Sequence, residues 1–525
     1  MTIFSFHNKC EVVEYDESLL NPQLSPIERE AQDVLNSEYD LKRAGIQSKD
    51  YLEKLKCADY TQTQFADYLL TKFNFLTLAD NEKILVYQDG IYVDNGEIII
   101  KKQLQKIAKE CSNHLVSEVI NSIKRQTYIN RDQFDKGEYQ ICLLNCILDV
   151  KTGQTMPHTP DKLFRNQLKV IYDKDAKCPK FQSFLNEFLP LARDRTDQLE
   201  AFASGLLMNS PKLEAMYFLT GTGDNGKSTY LKFVEWFYGK ENCSTTSIHE
   251  LVNNKFAKAR LENKRINYFP DIESDALENF GILKAIVSGD SIDAEYKYEN
   301  PHTFTPFCKH FFSANELPQI KDKKSFATYK RIRITKCNSR FLKKEDYHKE
   351  FEQIRHDYPD LTDSEIEQEL TELAIFKMNK QFVDSIRNDE AEKSGLLNLL
   401  LDNAKNIVNN DGFTYEYDLK YIIELWESNS SSIARFGQEC LVQDSKGTIS
   451  KKNLFGIYVN FCTKNKLTIL PSNVFHPTIK EKFQVIESWK NEKGQRERYY
   501  SGLAWNPSND WVKSVGLVQS QSILS

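Results

Sequence analysis

The segment Gly221-Thr222-Gly223-Asp224-Asn225-Gly226-Lys227-Ser228 constrains this chain more than any other. It fits GxxxxGK(S/T) and lies between the two elements that such a motif requires. Residues 216–220, Met-Tyr-Phe-Leu-Thr, read as a short buried strand, and residues 229–238 read as a helix. Strand, glycine-rich turn and helix N-terminus together make a phosphate cradle. The glycines let backbone N–H groups curl round an anion, and the helix end adds partial positive charge. Gly221 through Thr229 are therefore the expected ATP-binding residues, with Lys227 neutralising β- and γ-phosphate oxygens and Ser228 offering its hydroxyl to Mg2+.

A phosphate loop needs an acid at the end of a neighbouring strand to hold the metal and polarise water. Arg265-Ile266-Asn267-Tyr268-Phe269-Pro270-Asp271-Ile272-Glu273 supplies two candidates, Asp271 first and Glu273 second. Residues 307–314 read as another buried strand that delivers Asn315 to its C-terminal edge, where α/β sheets bind ligands. An amide there can bond the γ-phosphate or the attacking water without charge repulsion. Tyr329-Lys330-Arg331-Ile332-Arg333-Ile334 follows a loop with Lys321, Lys323 and Lys324, and Arg331 is the first choice for an arginine finger onto a neighbouring subunit.

At 525 residues, with 40% hydrophobic and 27% charged, the chain can fill several cores. The fold class expected is multidomain α/β and α+β. Residues 1–60 read as a helical segment, with helices near 26–36 and 48–57, and carry 12 acidic against 7 basic residues. Residues 61–190 read as a mixed α/β domain, with a helical stretch over 97–124 and strands at 84–87 and 140–150. Residues 191–345 hold a parallel-sheet core, 346–430 a helical connector broken at Asn409-Asn410-Asp411-Gly412, and 428–432 a polar linker. No apolar run approaches a membrane span and no signal segment opens the chain, so a soluble, cytoplasmic protein is expected. Eleven cysteines without a CxxC are expected to be reduced core thiols.

The formal charge of −6 hides an asymmetry: residues 446–500 carry 11 Lys and Arg against 4 Glu, a local +7 that leaves −13 elsewhere. Within 431–505 the order is helix 450–464 capped by Ser450, helix 472–483 with Asn473, His476, Lys480 and Lys482, and strands 485–490 and 495–500 around Asn491-Glu492-Lys493-Gly494. That is the winged-helix order, in which the second helix reads a groove while Lys493, Arg496 and Arg498 on the wing meet phosphates or the minor groove. Residues 506–525 read as a tail.

The loop, Asp271, Val287-Ser288-Gly289-Asp290, Phe312-Ser313-Ala314-Asn315-Glu316-Leu317-Pro318 and Tyr329-Lys330-Arg331, in that order, resemble superfamily 3 helicases. Within these the chain looks most like the phage, plasmid and poxvirus primase-helicase branch, and especially like staphylococcal pathogenicity island replication initiators. Leu144-Asn145-Cys146-Ile147-Leu148-Asp149-Val150-Lys151-Thr152-Gly153 and Pro157-His158-Thr159-Pro160 resemble the collar-like domain upstream of that core. Pro270 stands where the branch often has a second acid, and Cys146 where it has glycine. The resemblance implies an AAA+ ATPase core in a homo-hexameric ring moving 3′ to 5′ on single-stranded DNA; the winged helix adds origin duplex as an expected ligand, and host replication proteins are further expected partners. Residues 291–295 and 303–305 can then form a hairpin whose tip offers Lys297, Tyr298 and His302 to DNA in the channel. The expected function is an ATP-dependent helicase and replication initiator of a mobile element. A bifunctional primase-helicase is one alternative, although 60 leading residues are too few for a primase domain. The other is a non-hydrolysing, nucleotide-gated DNA-binding regulator.

Overall fold

A computed structural model of the chain describes residues 61–108, 111–137, 139–208, 213–277, 280–298, 301–320, 326–465, 467–492 and 495–517. The helices expected near 26–36 and 48–57 lie outside the described residues. The chain forms two compact units, one comprising the part up to Gln88 and Tyr92–Arg131, the other Asp89–Ile91 and Asp132–Ser525.

In the first unit, Thr61 and Gln64 satisfy each other's backbone N–H groups and so start the helix Gln62–Lys72. Strands β1 (Phe75–Leu78), β2 (Ile84–Gln88) and β3 (Ile91–Val93), then helices Gly96–Ile107 and Asn113–Gln126, lead to β4 (Tyr128–Ile129). The sheet order is β3-β2-β1-β4, and Leu69, Phe75, Val86, Ile100, Leu104, Val119 and Ile123 fill the core. The single helical stretch expected over 97–124 is two helices. Ala108 closes the first onto the Leu104 carbonyl, and Ser112 caps the second by accepting the Leu115 N–H at 3.1 Å.

The second unit begins with an antiparallel sheet of β5 (Gln140–Cys142), β6 (Ile147–Asp149) and β7 (Thr155–Met156). The strand expected over 140–150 is thus a hairpin, closed where Leu143 N–H meets the Cys146 carbonyl at 2.8 Å. After helices Pro179–Phe188 and Ala192–Ser204 come β8 (Met216–Thr220), β9 (Cys243–Ser244), β10 (Ile266–Phe269), the antiparallel hairpin β11 (Ile292–Ala294) and β12 (His302–Phe304), β13 (Lys309–Ala314), β14 (Ile332–Lys336) and β15 (Arg340–Leu342). Five of these make an all-parallel sheet in the order β14-β8-β13-β10-β9. β8 and β13 are buried along their whole length, as central strands covered on both faces must be. Their alternation divides the core. Tyr217, Leu219 and Phe311 face one cluster with Phe202, Leu231, Val234 and Leu400, while Met216, Phe218 and Phe312 face another with Leu283, Ile286 and Trp426.

Beyond β15, helices Lys344–Asp357 and Asp363–Glu372 lead to β16 (Ile375–Lys377), which pairs in parallel with β15. Helices Lys380–Arg387, Glu390–Asn410 and Leu419–Asn429 follow. The segment read as a polar linker is the reverse. Ser428, Asn429, Ser430 and Ser432 are buried, and Asn429 Nδ2 donates to the Leu425 carbonyl at 2.7 Å while Ser432 Oγ donates to that of Thr468 at 2.6 Å. Serine-rich composition suggested solvent, whereas these side chains cap and brace a packed junction.

The C-terminal part runs helix Ser432–Cys440, β17 (Leu441–Ser450), helices Lys451–Asn465 and Ser472–Phe483, β18 (Ile486–Glu492), β19 (Gln495–Trp505) and helix Asp510–Ser514. Ser450 caps the helix after β17 by accepting the Asn453 N–H at 3.3 Å. The antiparallel sheet order is β17-β19-β18. β17 was not foreseen because Gln443 to Thr448 has no apolar alternation, and its partner β19 runs on to Trp505 as a result. Nine described cysteines are free and eight of them buried. Among the described residues no helix is long and apolar enough to cross a membrane.

Candidate nucleotide site and nucleic-acid contacts

Parallel pairing brings the C-terminal ends of β8, β13 and β10 to one edge, where Ala314 lies opposite Thr220 and Phe312 opposite Phe269. A cavity of about 540 Å³ opens there. Its lining includes Gly223 to Thr229, Asp271, Ser313 and Asn315. Gly226 has φ +83° and starts the helix Lys227–Tyr238 without a side-chain cap, so the first helical N–H groups are offered to an anion. Gly221 has φ +156°, and a Cβ there would stand 2.2 Å from Asn225 Nδ2 and 2.3 Å from the Cys337 carbonyl. Thr222 borders the loop through its carbonyl, which accepts from Lys227 at 3.1 Å.

Lys227 Nζ also donates to the Gly221 carbonyl (2.9 Å), Asn225 Oδ1 (2.9 Å) and Asn315 Oδ1 (3.2 Å). Asn225 Nδ2 in turn donates to the Cys337 carbonyl at 2.9 Å, so its side chain braces the loop and only its backbone is left for a ligand. Burial pulls the Lys227 ammonium down to about 8. Polyphosphate oxygens favour the charged form and would raise it again. Triphosphate binding should therefore take up a proton above about pH 8, with affinity falling as pH rises past that point. Calorimetric titration in two buffers of different ionisation enthalpy reads this directly, and equal heats in both would refute it.

Asp271 has φ +62°. Its N–H donates to Ser313 Oγ at 3.3 Å and the next N–H to the Ser313 carbonyl at 2.8 Å, which turns the chain at the end of β10. The cavity is lined by Asp271 and Ser228 but not by Glu273, which is exposed beyond the turn. An uncapped helix end, a buried lysine, a hydroxyl and a carboxylate on one cavity suit a Mg2+ triphosphate. Asp271→Asn should keep nucleotide binding while slowing turnover at least about a hundredfold. Glu273→Gln should change it less than about threefold, and steady-state turnover of the two variants decides between the acids.

The far wall was not foreseen. Phe184, Glu187, Phe341, Lys377 to Lys380, Phe382 to Asp384 and Arg387 complete the cavity, and part of the segment read as a connector thus faces the loop. Phe341 N–H donates to the Asp224 carbonyl at 2.7 Å, which ties β15 to the phosphate loop. An apolar ring wall beside cations suits a nucleobase and its sugar-phosphate.

Arg331, expected as a free finger, is engaged within its own chain. It pairs with Glu214, donates through Nε to Ser288 Oγ at 3.1 Å and through Nη1 to the Ala327 carbonyl at 2.8 Å. Reaching another subunit's phosphate requires these contacts to open. Lys321, Lys323 and Lys324 lie outside the described residues.

The hairpin expected near residues 291–305 is present. Tyr298 is 96% exposed, with φ +70° and Lys297 Nζ 5.8 Å from its ring centre. His302 is not on the tip. It pairs with Ala294 within the hairpin, stacks on Tyr296 at 5.6 Å and meets Glu262 at 3.0 Å, because strand register rather than residue type decides its direction. In the C-terminal part, Lys480 is exposed 4.0 Å from Glu487, and Lys482 donates to the Ala434 carbonyl at 3.1 Å. His476 packs against Phe455, Phe475 and Tyr500, and burial lowers it to about 4. Arg498 lies 4.7 Å above Trp489, which sequence reading passed over and which is 52% exposed. Lys493 lies outside the described residues, and Arg496 is placed only by its register opposite Asn491.

Fold and site together define an α/β protein whose phosphate-loop motif, helix N-terminus, Ser228 and Asp271 share one cavity at the edge of a parallel sheet. Three family descriptions match it: "D5 N terminal like" over residues 51–190, a family of unknown function (DUF5906) over 219–331, and "Poxvirus D5 protein-like" over 428–508. Three relatives, each named a putative helicase, are L207/L206 of Acanthamoeba polyphaga mimivirus (26% identical, 40% of this chain), 184R of Invertebrate iridescent virus 6 (24%, 46%) and 121R of Invertebrate iridescent virus 3 (28%, 45%). The matched stretches span 23%, 26% and 27% of those relatives' own lengths. The apo C-terminal region of NrS-1 is similar over 85% of this chain and 100% of that one, at a TM-score of 0.43 and 12% identity. The family and relative matches support kinship with poxvirus D5-like proteins and with viral proteins named putative helicases.

Proposed function

We propose that the chain is an ATP-hydrolysing DNA helicase that initiates replication of a mobile genetic element. The observation that carries this is the convergence of Lys227, Ser228, Asp271 and Asn315 on one cavity at the C-terminal edge of a parallel sheet. Counted along the chain, the sheet order is 5-1-4-3-2, with β13 between the loop strand and the acid strand, which supports an AAA+ reading of the core. The helix-strand-helix-helix-strand-strand order from Ser432 to Trp505 supports a winged helix. The names of the viral relatives support helicase activity.

In this reading the backbone N–H groups of the loop and the start of helix Lys227–Tyr238 bind the phosphates, and Lys227 spreads their charge. Ser228 and Asp271 would hold Mg2+, which supplies charge neutralisation when bound. Asn315 orients the terminal phosphate or the water beside it, and Phe341 with Phe382 excludes water from the base side. A homo-hexamer would let Arg331, once released from Glu214, act across a subunit boundary. Lys297 and Tyr298 grip single-stranded DNA, while Lys480, Lys482 and Arg498 serve the duplex at an origin.

Purified protein with ATP and Mg2+ should displace a strand from a forked duplex, with turnover stimulated by single-stranded DNA. Lys297→Ala combined with Tyr298→Ala should lower that stimulation about tenfold and leave duplex binding intact. Loss of duplex binding instead would reverse the assignment of the two surfaces. A second reading, a non-hydrolysing nucleotide-gated regulator, is favoured by one observation: Arg331 is tied up in its own chain. Nucleotide binding without turnover on any DNA would select it.

A further inference from the structure

We propose that Glu316 is a positioning residue that couples the nucleotide cavity to the C-terminal DNA unit, so that the phosphate state at Asn315 sets how that unit holds DNA. The inference rests on the functional reading above. Four consecutive residues leave the end of β13, and each is anchored. Asn315 Oδ1 accepts from Lys227 Nζ at 3.2 Å. Glu316 Oε1 accepts the N–H of Ser432, the first turn of helix Ser432–Cys440, at 3.1 Å. Leu317 N–H donates to the Asn429 carbonyl at 2.7 Å, and the Pro318 carbonyl accepts from Trp426 Nε1 at 3.0 Å.

A carboxylate on the N-terminus of a helix is favoured by the exposed N–H groups and by the helix dipole. The helix it caps opens the C-terminal unit. The contact passes through the Ser432 backbone into that helix; its Oγ separately lies 2.8 Å from Tyr458 Oη, and Tyr458 Oη also accepts the Leu470 N–H at 3.0 Å. Tyr458 and Leu470 belong to the core or its edge on which helix Ser472–Phe483 rests. Helix Ser432–Cys440 is also bonded to that helix through Lys482 and the Ala434 carbonyl.

A terminal phosphate that takes Asn315 and Lys227 from each other must change the end of β13. A trans peptide chain this short and this fully anchored passes the change on rather than absorbing it. Coupling of this kind is reciprocal, so DNA on the C-terminal unit must alter nucleotide affinity by the same factor.

The test uses the full chain, a fluorescein-labelled forked duplex and two nucleotides, ADP and a non-hydrolysable ATP analogue. Wild type should bind the fork with affinities that differ by at least about fivefold between the two nucleotides. Glu316→Ala should bring that ratio to about one while leaving both nucleotide affinities within about twofold, and Glu316→Gln, which keeps the acceptor, should retain it. A second pair of variants does not depend on the stability of Glu316→Ala. Ser432→Pro removes the N–H at a first-turn position that tolerates proline, and Ser431 before it is already extended (φ −150°, ψ 122°). Ser432→Ala keeps the N–H and loses only the hydroxyl. Loss of the ratio in the proline variant and its retention in the alanine variant would support the coupling. An unchanged ratio in both Glu316→Ala and Ser432→Pro, or equal affinities in wild type, would overturn it. Failure to bind any nucleotide would overturn the functional reading itself, a result distinguishable from loss of the ratio alone.

Discussion

Lys227→Ala should lower ATP turnover by about two to three orders of magnitude, the loss typical when one preorganised charge at a reacting phosphate is removed. The residue is buried and its ammonium gathers four acceptors from the loop and Asn315. A void at its place leaves Asn225 Oδ1 and two loop carbonyls without a donor, so nucleotide affinity should fall as well. Steady-state phosphate release and fluorescent-nucleotide binding separate the two effects. Turnover within threefold of wild type would remove Lys227 from the reaction and with it the assignment of the cavity.

Trp426→Ala should be the most damaging single change to stability. Trp426 is 1% exposed. It packs edge-on against Phe218 of the loop strand at 4.9 Å, stands 6.5 Å from Tyr329, and donates to the Pro318 carbonyl. Removing so large a buried ring costs about 3–5 kcal/mol, and the orphaned carbonyl adds to that. Trp426→Phe keeps most of the packing and loses the bond, a cost of about 1–2 kcal/mol. Urea midpoints for the two variants should fall in that order. Equal midpoints would mean that the hydrogen bond rather than the packing holds the junction.

The sequence made plain whatever is local. The phosphate loop is contiguous, and both Asp271 and Asn315 follow buried apolar strands, so a polar residue at a strand end was enough to find them. What it concealed is set by distance or by register. Phe341, Lys377 to Lys380, Phe382 to Asp384 and Arg387 share the loop's cavity from more than a hundred positions away, with no motif to mark them. His302 suits a DNA-contacting tip by residue type alone, yet its pairing with Ala294 places it in the strand. Between Gly96 and Gln126 the helical period runs on through a break that only the Ser112 cap reveals. From Ser428 to Ser432 the hydroxyls that suggested solvent are consumed by caps and carbonyls inside a core.

The sheet order also bears on how the protein is made. The strand that carries the phosphate loop ends at Thr220, but its two neighbours begin at Lys309 and Ile332. A ribosome adding about 5–20 residues per second needs roughly 5–20 seconds to reach the first of them. During that interval the apolar run Met216–Thr220 has no partner strand, and β9 and β10, which emerge meanwhile, do not pair with it. The nascent chain therefore carries the Gly221–Ser228 loop before the sheet that positions it has formed, and its unpaired apolar strand is open to aggregation during that interval.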